Sequence, residues 1–388
     1  MPMVRPSNHP RPWRAALATL AAATLPLIAA DAAEIRPPLA TRGTEIVDQS
    51  GEPVVLRGIT WFGGETEAHV PHGLWVRDYQ EMIAQIRDAG FNLIRLPFSV
   101  NAIRSTTTGG IDFSKGGNAS LQGLHPLEVL DCIVAEADAH GLLVLLDCHR
   151  LNDTRIPELW YGDGFTEDDW LDAWRTMARR YGPRSNVIGA DIKNEPHGVA
   201  SWGTGDLRTD FRLAAERCGD AIHEIAPHWL IVVEGVEKNV PDQTLPGHWW
   251  GGNLEGVRKA PVRLQQRHRV VYSPHEYGPG VREADWFQDP AFPANLPDRW
   301  ERGFGYILTE KIAPVLVGEF GGRQTGPDTP EGVWQRAFVE FLHDNRLGFL
   351  YWSWNPNSSD TGGLLADDWL TIVEPKRRLL GRLLDTTP

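Results

Sequence analysis

The sequence is poor in cysteine and has no recognisable metal-binding motif. Its 388 residues include three cysteines, Cys132, Cys148 and Cys218, and no CxxC or HExxH spacing. This pattern excludes a small disulfide-stabilised scaffold and gives no reason to expect a metal or another cofactor. Cys132 lies in a helical pattern and Cys148 in a strand pattern, which favours buried, non-catalytic thiols. An odd number leaves at least one thiol free, and the pattern leaves open whether any bridge forms.

Basic tracts and long apolar runs are also missing. The net charge is −13 and there is no Lys/Arg stripe, so we expect no nucleic-acid partner. The most apolar segment, Ala15–Ala30, has 16 residues and contains Pro26, which is too short for a comfortable membrane span. Basic residues precede this segment and Ala30-Asp31-Ala32 lies at its end, a combination typical of a secretory signal peptide. We therefore predict a signal peptide over 1–32, with a membrane anchor as the alternative, and a secreted protein in the extracellular space or periplasm.

No linker rich in Pro, Ser or Thr divides the rest of the chain, so we predict one domain over residues 33–388, acting as a monomer. Within it, eight short runs are almost continuously apolar, as in strands that are buried on both faces of a parallel sheet. These runs are Val54–Phe62, Phe91–Phe98, Leu142–His149, Val187–Glu195, Trp229–Gly235, Arg269–Tyr277, Pro314–Phe320 and Gly348–Trp354.

Amphipathic stretches separate the apolar runs. Arg77–Ala89 and Pro126–His140 each carry an apolar stripe at helical spacing, and each is followed by a glycine and then a strand. Alternation of strands and helices indicates parallel pairing through right-handed crossovers. Eight repeats predict an α/β fold, a closed (β/α)8 TIM barrel.

Polar and aromatic residues follow six of the eight runs, at the point where each strand is expected to end. Because the carboxyl ends of barrel strands meet on one face, and because active sites lie there, these residues should converge. The six sequences are Arg95-Leu-Pro-Phe, Asp147-Cys-His149-Arg, Asn194-Glu195-Pro-His, His275-Glu-Tyr277, Gly-Glu319-Phe-Gly and Trp352-Ser-Trp-Asn-Pro.

Glu195 and Glu319 are the two carboxylates that stand out in this set. A lone carboxylate at such a position is most often a strand cap or one half of an ion pair. Two of them, on the fourth and seventh strands among His, Tyr, Asn and Trp, favour chemistry instead. Glycoside hydrolysis needs a carboxyl pair, in which one group donates a proton and the other attacks carbon or activates water.

These motifs, taken in order, resemble glycoside hydrolase family 5, and in particular its bacterial endo-β-1,4-glucanases, or cellulases. The similarity runs from about Glu45 to Val373. It is carried by WFGGET from Trp61, HGLWVRDY from His72, NLIRLPFS from Asn92, NEPHG from Asn194, VEGVE from Val233, WWGGNL from Trp249, VGEFG from Val317 and YWSWNPNSSDTGGLLADDW from Tyr351.

The resemblance implies a retaining hydrolase of β-1,4-glucans that works by double displacement. Glu195 would be the acid/base, and Asn194 would hydrogen-bond the sugar 2-hydroxyl. Glu319 would be the nucleophile that forms the covalent glycosyl intermediate. The implied partner is a β-glucan polysaccharide or oligosaccharide.

The resemblance also implies supporting roles for other residues. Arg95 and Tyr277 would orient Glu319, while His149 and His275 would bind substrate or support the carboxylates.

Trp352 would form the floor under the sugar whose bond breaks. Among the 16 tryptophans, Trp61 and Trp250 are further candidates for stacking on sugar rings, although either could belong to the core.

Lys193 departs from the family pattern, in which the residue before the NEP motif is more often neutral or aromatic. Alternation along the strand would place Lys193 on the same side as Glu195. Its charge would then lower the pKa of the acid unless Asp191 or Asp147 neutralises it.

Several functions share these motifs and stay open at this point. The same site would suit a β-mannanase or a xyloglucan hydrolase, because loops decide the polymer. It would also suit a transglycosylase that uses a sugar acceptor in place of water. A non-catalytic carbohydrate-binding barrel is the alternative from a different class of protein.

Overall fold

The computed structural model describes residues 1–3 and 35–385. Apart from residues 1–3, the signal peptide predicted over 1–32 and its boundary lie outside the described residues. In the described part of the chain, no helix combines the length and the apolar character needed to cross a membrane.

The described residues contain ten strands, and the last eight overlap the eight apolar runs. Six of them lie within their predicted runs, and β4 and β5 each extend one residue beyond the end of theirs. The strands are β1 Ala40–Arg42, β2 Glu45–Val47, β3 Arg57–Thr60, β4 Leu93–Ser99, β5 Leu143–Arg150, β6 Val187–Asp191, β7 Leu230–Glu234, β8 Val270–Ser273, β9 Leu316–Phe320 and β10 Gly348–Tyr351.

Strands β3 to β10 form a closed parallel barrel, as predicted. Their order is β8-β7-β6-β5-β4-β3-β10-β9, and every neighbouring pair is parallel. Parallel bridges Tyr272↔Val315 and His275↔Glu319 join the two ends of this order. All eight carboxyl ends therefore meet on one face of the molecule.

Helices lie between the strands. The first predicted helix extends over Tyr79–Asp88: the Asp78 side chain accepts the Gln80 N–H at its start, and Gly90 follows its end at φ 98°. The helices are α1 Tyr79–Asp88, α2 Val100–Arg104, α3 Pro126–Ala139, α4 Glu167–Tyr181, α5 Phe211–His223, α6 Leu296–Trp300, α7 Tyr306–Thr309, α8 Pro330–Asp344 and α9 Glu374–Leu384. Short 3₁₀ turns lie at Gly116–Leu121, Glu255–Arg258 and Asp285–Phe287, and a π turn at Glu301–Gly305.

The apolar residues form two separate cores. The larger one lies between barrel and helices, and the smaller one fills the barrel interior with Leu93, Leu145, Leu230 and other side chains. Because successive side chains of a strand point to opposite faces, membership of these cores shows which face each residue uses. Arg95 shares the inward face of Leu93, Asp147 that of Leu145, and Glu234 that of Leu230.

The hairpin formed by β1 and β2 is a feature that the sequence analysis did not predict. Its strands are only three residues long, which is too short for an alternating pattern to be recognised. Gly43, at φ 59°, makes the turn between them. Leu39 and Ile46 join the interior core, so the hairpin seals the amino end of the barrel, opposite the polar face.

Shortening one interior side chain should test this packing. Leu230 is buried in the interior core, so we expect Leu230→Ala to lower the free energy of unfolding by about 2–5 kcal/mol, through lost burial and a residual cavity. Leu207, with 63% of its surface exposed, supplies the control Leu207→Ala. Equal stabilities of the two variants in urea denaturation would contradict the packing described here.

Candidate active site

The predicted site residues gather at the carboxyl ends of the barrel strands. Arg95, His149 and Glu319 lie within strands β4, β5 and β9, and the others except Trp250 lie within four residues of a strand end. Trp250 lies in the loop between β7 and β8. Asn194 and Glu195 follow β6, His275 and Tyr277 follow β8, and Trp352 follows β10.

Arg95 occupies the centre of the site and is completely buried. Its Nη1 donates to Glu319 Oε1 at 2.6 Å, its Nε to Asp191 Oδ2 at 2.9 Å, and its Nη2 to Asn194 Oδ1 at 3.0 Å. Nη2 also lies 3.2 Å from Asp147 Oδ2 and 3.4 Å from Glu234 Oε1. One guanidinium thus contacts four buried carboxyl groups, each on a different strand.

Glu319 is held in its ionised form. Tyr277 donates its hydroxyl to Glu319 Oε2 at 2.7 Å, and His275 Nδ1 lies 3.5 Å from the same oxygen. Burial alone would raise the pKa of Glu319, but the positive charges of His275 and Arg95 outweigh burial and lower that pKa.

Glu195 has the opposite electrostatic environment. Burial raises the pKa of its carboxyl group to about 7, and the negative charge of Glu319 adds to this effect. The hydrogen bond between His275 Nδ1 and Glu195 Oε1, 3.2 Å long, offsets only part of the rise. A carboxylate oxygen of Glu195 and one of Glu319 lie within 4.8 Å of each other. The two carboxyl groups are therefore close together but differ in proton affinity.

His149 and Asp147 orient Asn194. Burial lowers the pKa of His149 to about 3, so its ring is neutral. Its Nε2 lies 3.3 Å from Asn194 Nδ2, which can only donate, so the ring proton resides on Nδ1 and is donated to Asp147 Oδ2 at 2.7 Å. Because Asn194 Oδ1 accepts from Arg95, the amide has one possible orientation.

The strand alternation used to place Lys193 beside Glu195 does not apply. Strand β6 ends at Asp191, and Glu195 has a left-handed backbone at φ 49°. Lys193 is buried with its Nζ donating to the Asn194 carbonyl oxygen, and burial lowers its pKa to about 8. Among the described residues no carboxylate lies within 4.0 Å of Lys193, because Asp191 pairs with Arg95 instead. The predicted fall in the pKa of Glu195 does not occur.

Aromatic rings line the site on one side. Trp352 is half-buried, and its ring lies parallel to those of Phe62 and His149, with centroid distances of 5.1 and 5.4 Å. From Phe62 the rings continue to His72 at 5.4 Å and from there to Trp75 at 5.3 Å. Trp75 has 39% of its surface exposed, and the sequence analysis gave it no role.

Trp61 and Trp250, the two other candidate stacking residues, differ in burial. Trp61 is completely buried and its Nε1 donates to the His72 carbonyl oxygen at 2.8 Å, so the prediction that it stacks on a sugar is wrong. Its position on the outward face of the strand explains the burial, because it packs under the helices. Trp250 is half-buried and stacks on His197 with a centroid distance of 3.7 Å.

The sequence analysis missed Glu234 and gave Asp147 and Asp191 only a possible link to Lys193. All three are buried and contact Arg95. A signal for Glu234 was present in the sequence, because the fifth apolar run also ends in a carboxylate, in Val-Val-Glu234-Gly. Charged residues are rarely buried, so each carboxylate at the end of a buried strand is a candidate site residue.

Two groups of buried side chains near Arg95 have ligand atoms close enough to hold a metal ion. They are Asp191, Glu234 and His275, and Glu195, His275 and Glu319. In both groups at least one carboxylate is already paired with the Arg95 guanidinium, which supplies the positive charge that a cation would bring. All three cysteines are free, and Cys148 packs in the outer core as predicted.

Removing the Arg95 charge should expose its contribution to stability. We expect Arg95→Met to lower the free energy of unfolding by about 3–5 kcal/mol at pH 7, because buried carboxylates then lack their counter-charge. Loss of Arg95 should raise the folded-state pKa values of these carboxyls further, above all that of Glu319, which is lowered in the intact protein. The variant then takes up more protons on folding than the intact protein does, so the deficit should shrink as the pH falls from 7 to 5. The control is Arg208→Met, which removes an exposed pair with Asp206. A deficit that stays constant with pH would contradict this description of the site.

Comparison with known proteins agrees with the site. The family model described as Cellulase (glycosyl hydrolase family 5) matches residues 47–358. An endoglucanase of Paenibacillus polymyxa is 49% identical over 358 residues, covering 92% of this chain and 89% of that protein. The major extracellular endoglucanase of Xanthomonas campestris pv. campestris is 46% identical over 345 residues, covering 88% of this chain and 70% of that protein.

Solved structures give the same result. The hyperthermophilic endocellulase from the archaeon Pyrococcus horikoshii superposes with a TM-score of 0.85 at 44% identity, covering 90% of this chain and all of that one. The catalytic domain of the major Xanthomonas campestris endoglucanase superposes with a TM-score of 0.84 at 43% identity, with 90% of this chain and 100% of that chain covered. The chain belongs to glycoside hydrolase family 5.

Proposed function

We propose that this family 5 hydrolase cleaves internal β-1,4-glucosidic bonds of cellulose or related β-glucans, with retention of configuration. The supporting observation is the Glu195–Glu319 pair, whose carboxylate oxygens lie within 4.8 Å of each other. Retaining enzymes hold their two carboxyl groups about 5–5.5 Å apart, whereas inverting enzymes need about 6.5–9.5 Å to admit a water molecule. A closest approach within 4.8 Å favours the retaining arrangement.

In the first step, ionised Glu319 attacks the anomeric carbon while Glu195 gives its proton to the leaving glycosidic oxygen. The different pKa values of the two groups suit these roles, because one must be charged and the other protonated at the same pH. The bond to the leaving sugar breaks as the covalent bond to Glu319 forms.

In the second step, Glu195 acts as the base. It takes a proton from water, and the resulting hydroxide equivalent displaces Glu319 from the anomeric carbon. Two displacements at one carbon restore the β configuration. Asn194, fixed between Arg95 and His149, is placed to hydrogen-bond the 2-hydroxyl of the sugar through its remaining Nδ2–H.

The polymer should lie across the face of the barrel from one aromatic group to the other. Phe62 and Trp352 follow strands β3 and β10, which are opposite β7 and β6 in the closed order. Because Glu195 protonates the leaving oxygen, the leaving sugar lies toward the β6 and β7 side, where His197 and Trp250 stack. The sugars that remain bound lie over Trp352 and extend toward Trp75.

The assignment to β-1,4-glucan rests on relatives as well as on chemistry. The Paenibacillus and Xanthomonas relatives are endoglucanases, and the Pyrococcus endocellulase has been solved in complex with cellotetraose. A β-mannanase remains the second candidate because mannose differs from glucose at C2, next to Asn194. We also propose that the enzyme is secreted after removal of residues 1–32 and acts as a monomer, as the single barrel needs no partner to complete its site.

The first test follows cellopentaose digestion by proton NMR, with mannopentaose in a parallel sample. We expect the β-anomer to appear first, and only from the glucan. Initial α-anomer would contradict retention, cleavage of mannopentaose alone would overturn the substrate, and transfer products in place of hydrolysis would indicate a transglycosylase.

The matched control is Glu319→Ala, which removes the nucleophile. Turnover should disappear, since no covalent intermediate can form, and added azide should restore cleavage with formation of the α-glycosyl azide. Retention of normal activity by this variant would overturn the assignment of Glu319.

A further inference from the structure

Glu234 lies directly behind the acid/base and has no assigned role. We propose that Glu234 is a positioning residue that holds the Glu195 backbone and the His275 ring in the geometry needed for proton transfer. This inference rests on the proposed function of Glu195. It concerns a residue that acts through others, because the Glu234 side chain is completely buried and cannot reach the substrate.

The first contact of Glu234 is with the main chain of the acid/base. Its Oε2 accepts the Glu195 N–H at 2.7 Å. Glu195 has φ 49°, a left-handed conformation that is unfavourable for a residue with a side chain and persists only where surrounding contacts hold it. The bond to Glu234 is such a contact, and it fixes the direction in which the Glu195 side chain leaves the backbone.

The second contact is with the side-chain partner of the acid/base. Glu234 Oε1 lies 3.2 Å from His275 Nε2, while the opposite ring nitrogen, Nδ1, lies 3.2 Å from Glu195 Oε1. Burial alone would lower the pKa of the His275 ring, but the charges of Glu234 and Glu319 outweigh burial and raise that pKa, which favours a proton on Nδ1. Glu234 thereby keeps His275 oriented as a donor toward Glu195.

A glycine in the next loop closes over this arrangement. Gly251 has φ 72°, and a Cβ at this position would collide with Glu234 Oε2 and lie 3.4 Å from Glu195 Cα. Its N–H is 3.3 Å from the Pro196 carbonyl oxygen, so the loop follows the acid/base segment closely. The close approach excludes water from the Glu234 carboxyl group, which strengthens both of its contacts.

The test compares substrates whose leaving groups differ in how much they need a proton from Glu195. A phenyl β-cellotrioside needs its leaving oxygen protonated, whereas a 2,4-dinitrophenyl β-cellotrioside leaves without a proton, and kcat/KM reports the first step for both. We expect Glu234→Ala and Glu234→Gln to lower kcat/KM by about 10- to 100-fold on the phenyl substrate, but by less than about 3-fold on the dinitrophenyl substrate.

A second signature follows from the base role of Glu195 in the second step. Azide should raise kcat of Glu234→Ala on the dinitrophenyl substrate and give the β-glycosyl azide, since azide needs no base to attack the intermediate. Glu234→Gln keeps the side-chain volume and an acceptor for the Glu195 N–H, so its kcat/KM on the phenyl substrate should fall less than that of Glu234→Ala. If Glu234→Ala fails to fold, the comparison between the two substrates is made with Glu234→Gln.

Two further variants separate the possible outcomes. Asp191→Asn also removes a carboxylate that is bound to Arg95, but Asp191 has no hydrogen bond to Glu195. Its kcat/KM should therefore fall by the same factor on both substrates. Glu195→Ala should show the full leaving-group dependence. Equal losses on both substrates for the Glu234 variants would overturn the positioning role. Absence of the dependence in Glu195→Ala would instead overturn the proposed function.

Discussion

The structure of this site depends on one buried arginine. Arg95 contacts four carboxyl groups in an interior where charges are poorly solvated, and an unpaired carboxylate is therefore costly. A single positive charge cannot offset all four, even with His275 beside them. Burial accordingly raises the pKa of Asp147 to about 7, of Asp191 to about 6 and of Glu234 to about 8. Glu319, which also receives the Tyr277 hydroxyl, is the carboxyl that keeps its negative charge.

This unequal sharing of charge gives Glu195 and Glu319 the different proton affinities that the proposed double displacement needs. Glu319 lies against Arg95 and keeps its charge, which suits the role of nucleophile proposed for it, whereas Glu195 has no contact with Arg95 and retains its proton to a higher pH. The barrel makes the arrangement possible because it brings the ends of eight strands to one face, so that residues far apart in sequence share one counter-charge. In the proposed function, the aromatic rings on either side set the path of the polymer over the two carboxyl groups.

Much of this could be predicted from the sequence, and the exceptions have physical reasons. Eight buried strands have a strong apolar signal, and the polar residues at their ends converge because the topology requires it. The predictions failed where the backbone departs from regular strand geometry, and where a tryptophan could either pack in the core or stack on a sugar. Alternation could not be extended to Lys193, because β6 ends at Asp191 and Glu195 is left-handed. Trp61 is chemically as suited to stacking as Trp250, and only its outward position on the barrel distinguishes it.

Direct titration of the two carboxyl groups tests the account most closely. Glutamate labelled with ¹³C at Cδ reports each ionisation by NMR, and the signals can be assigned with Glu195→Gln and Glu319→Gln. The account predicts that Glu319 stays ionised to below the ordinary glutamate range while Glu195 titrates near pH 7. Two glutamates that both titrate at about pH 4.3, as in model peptides, would contradict it.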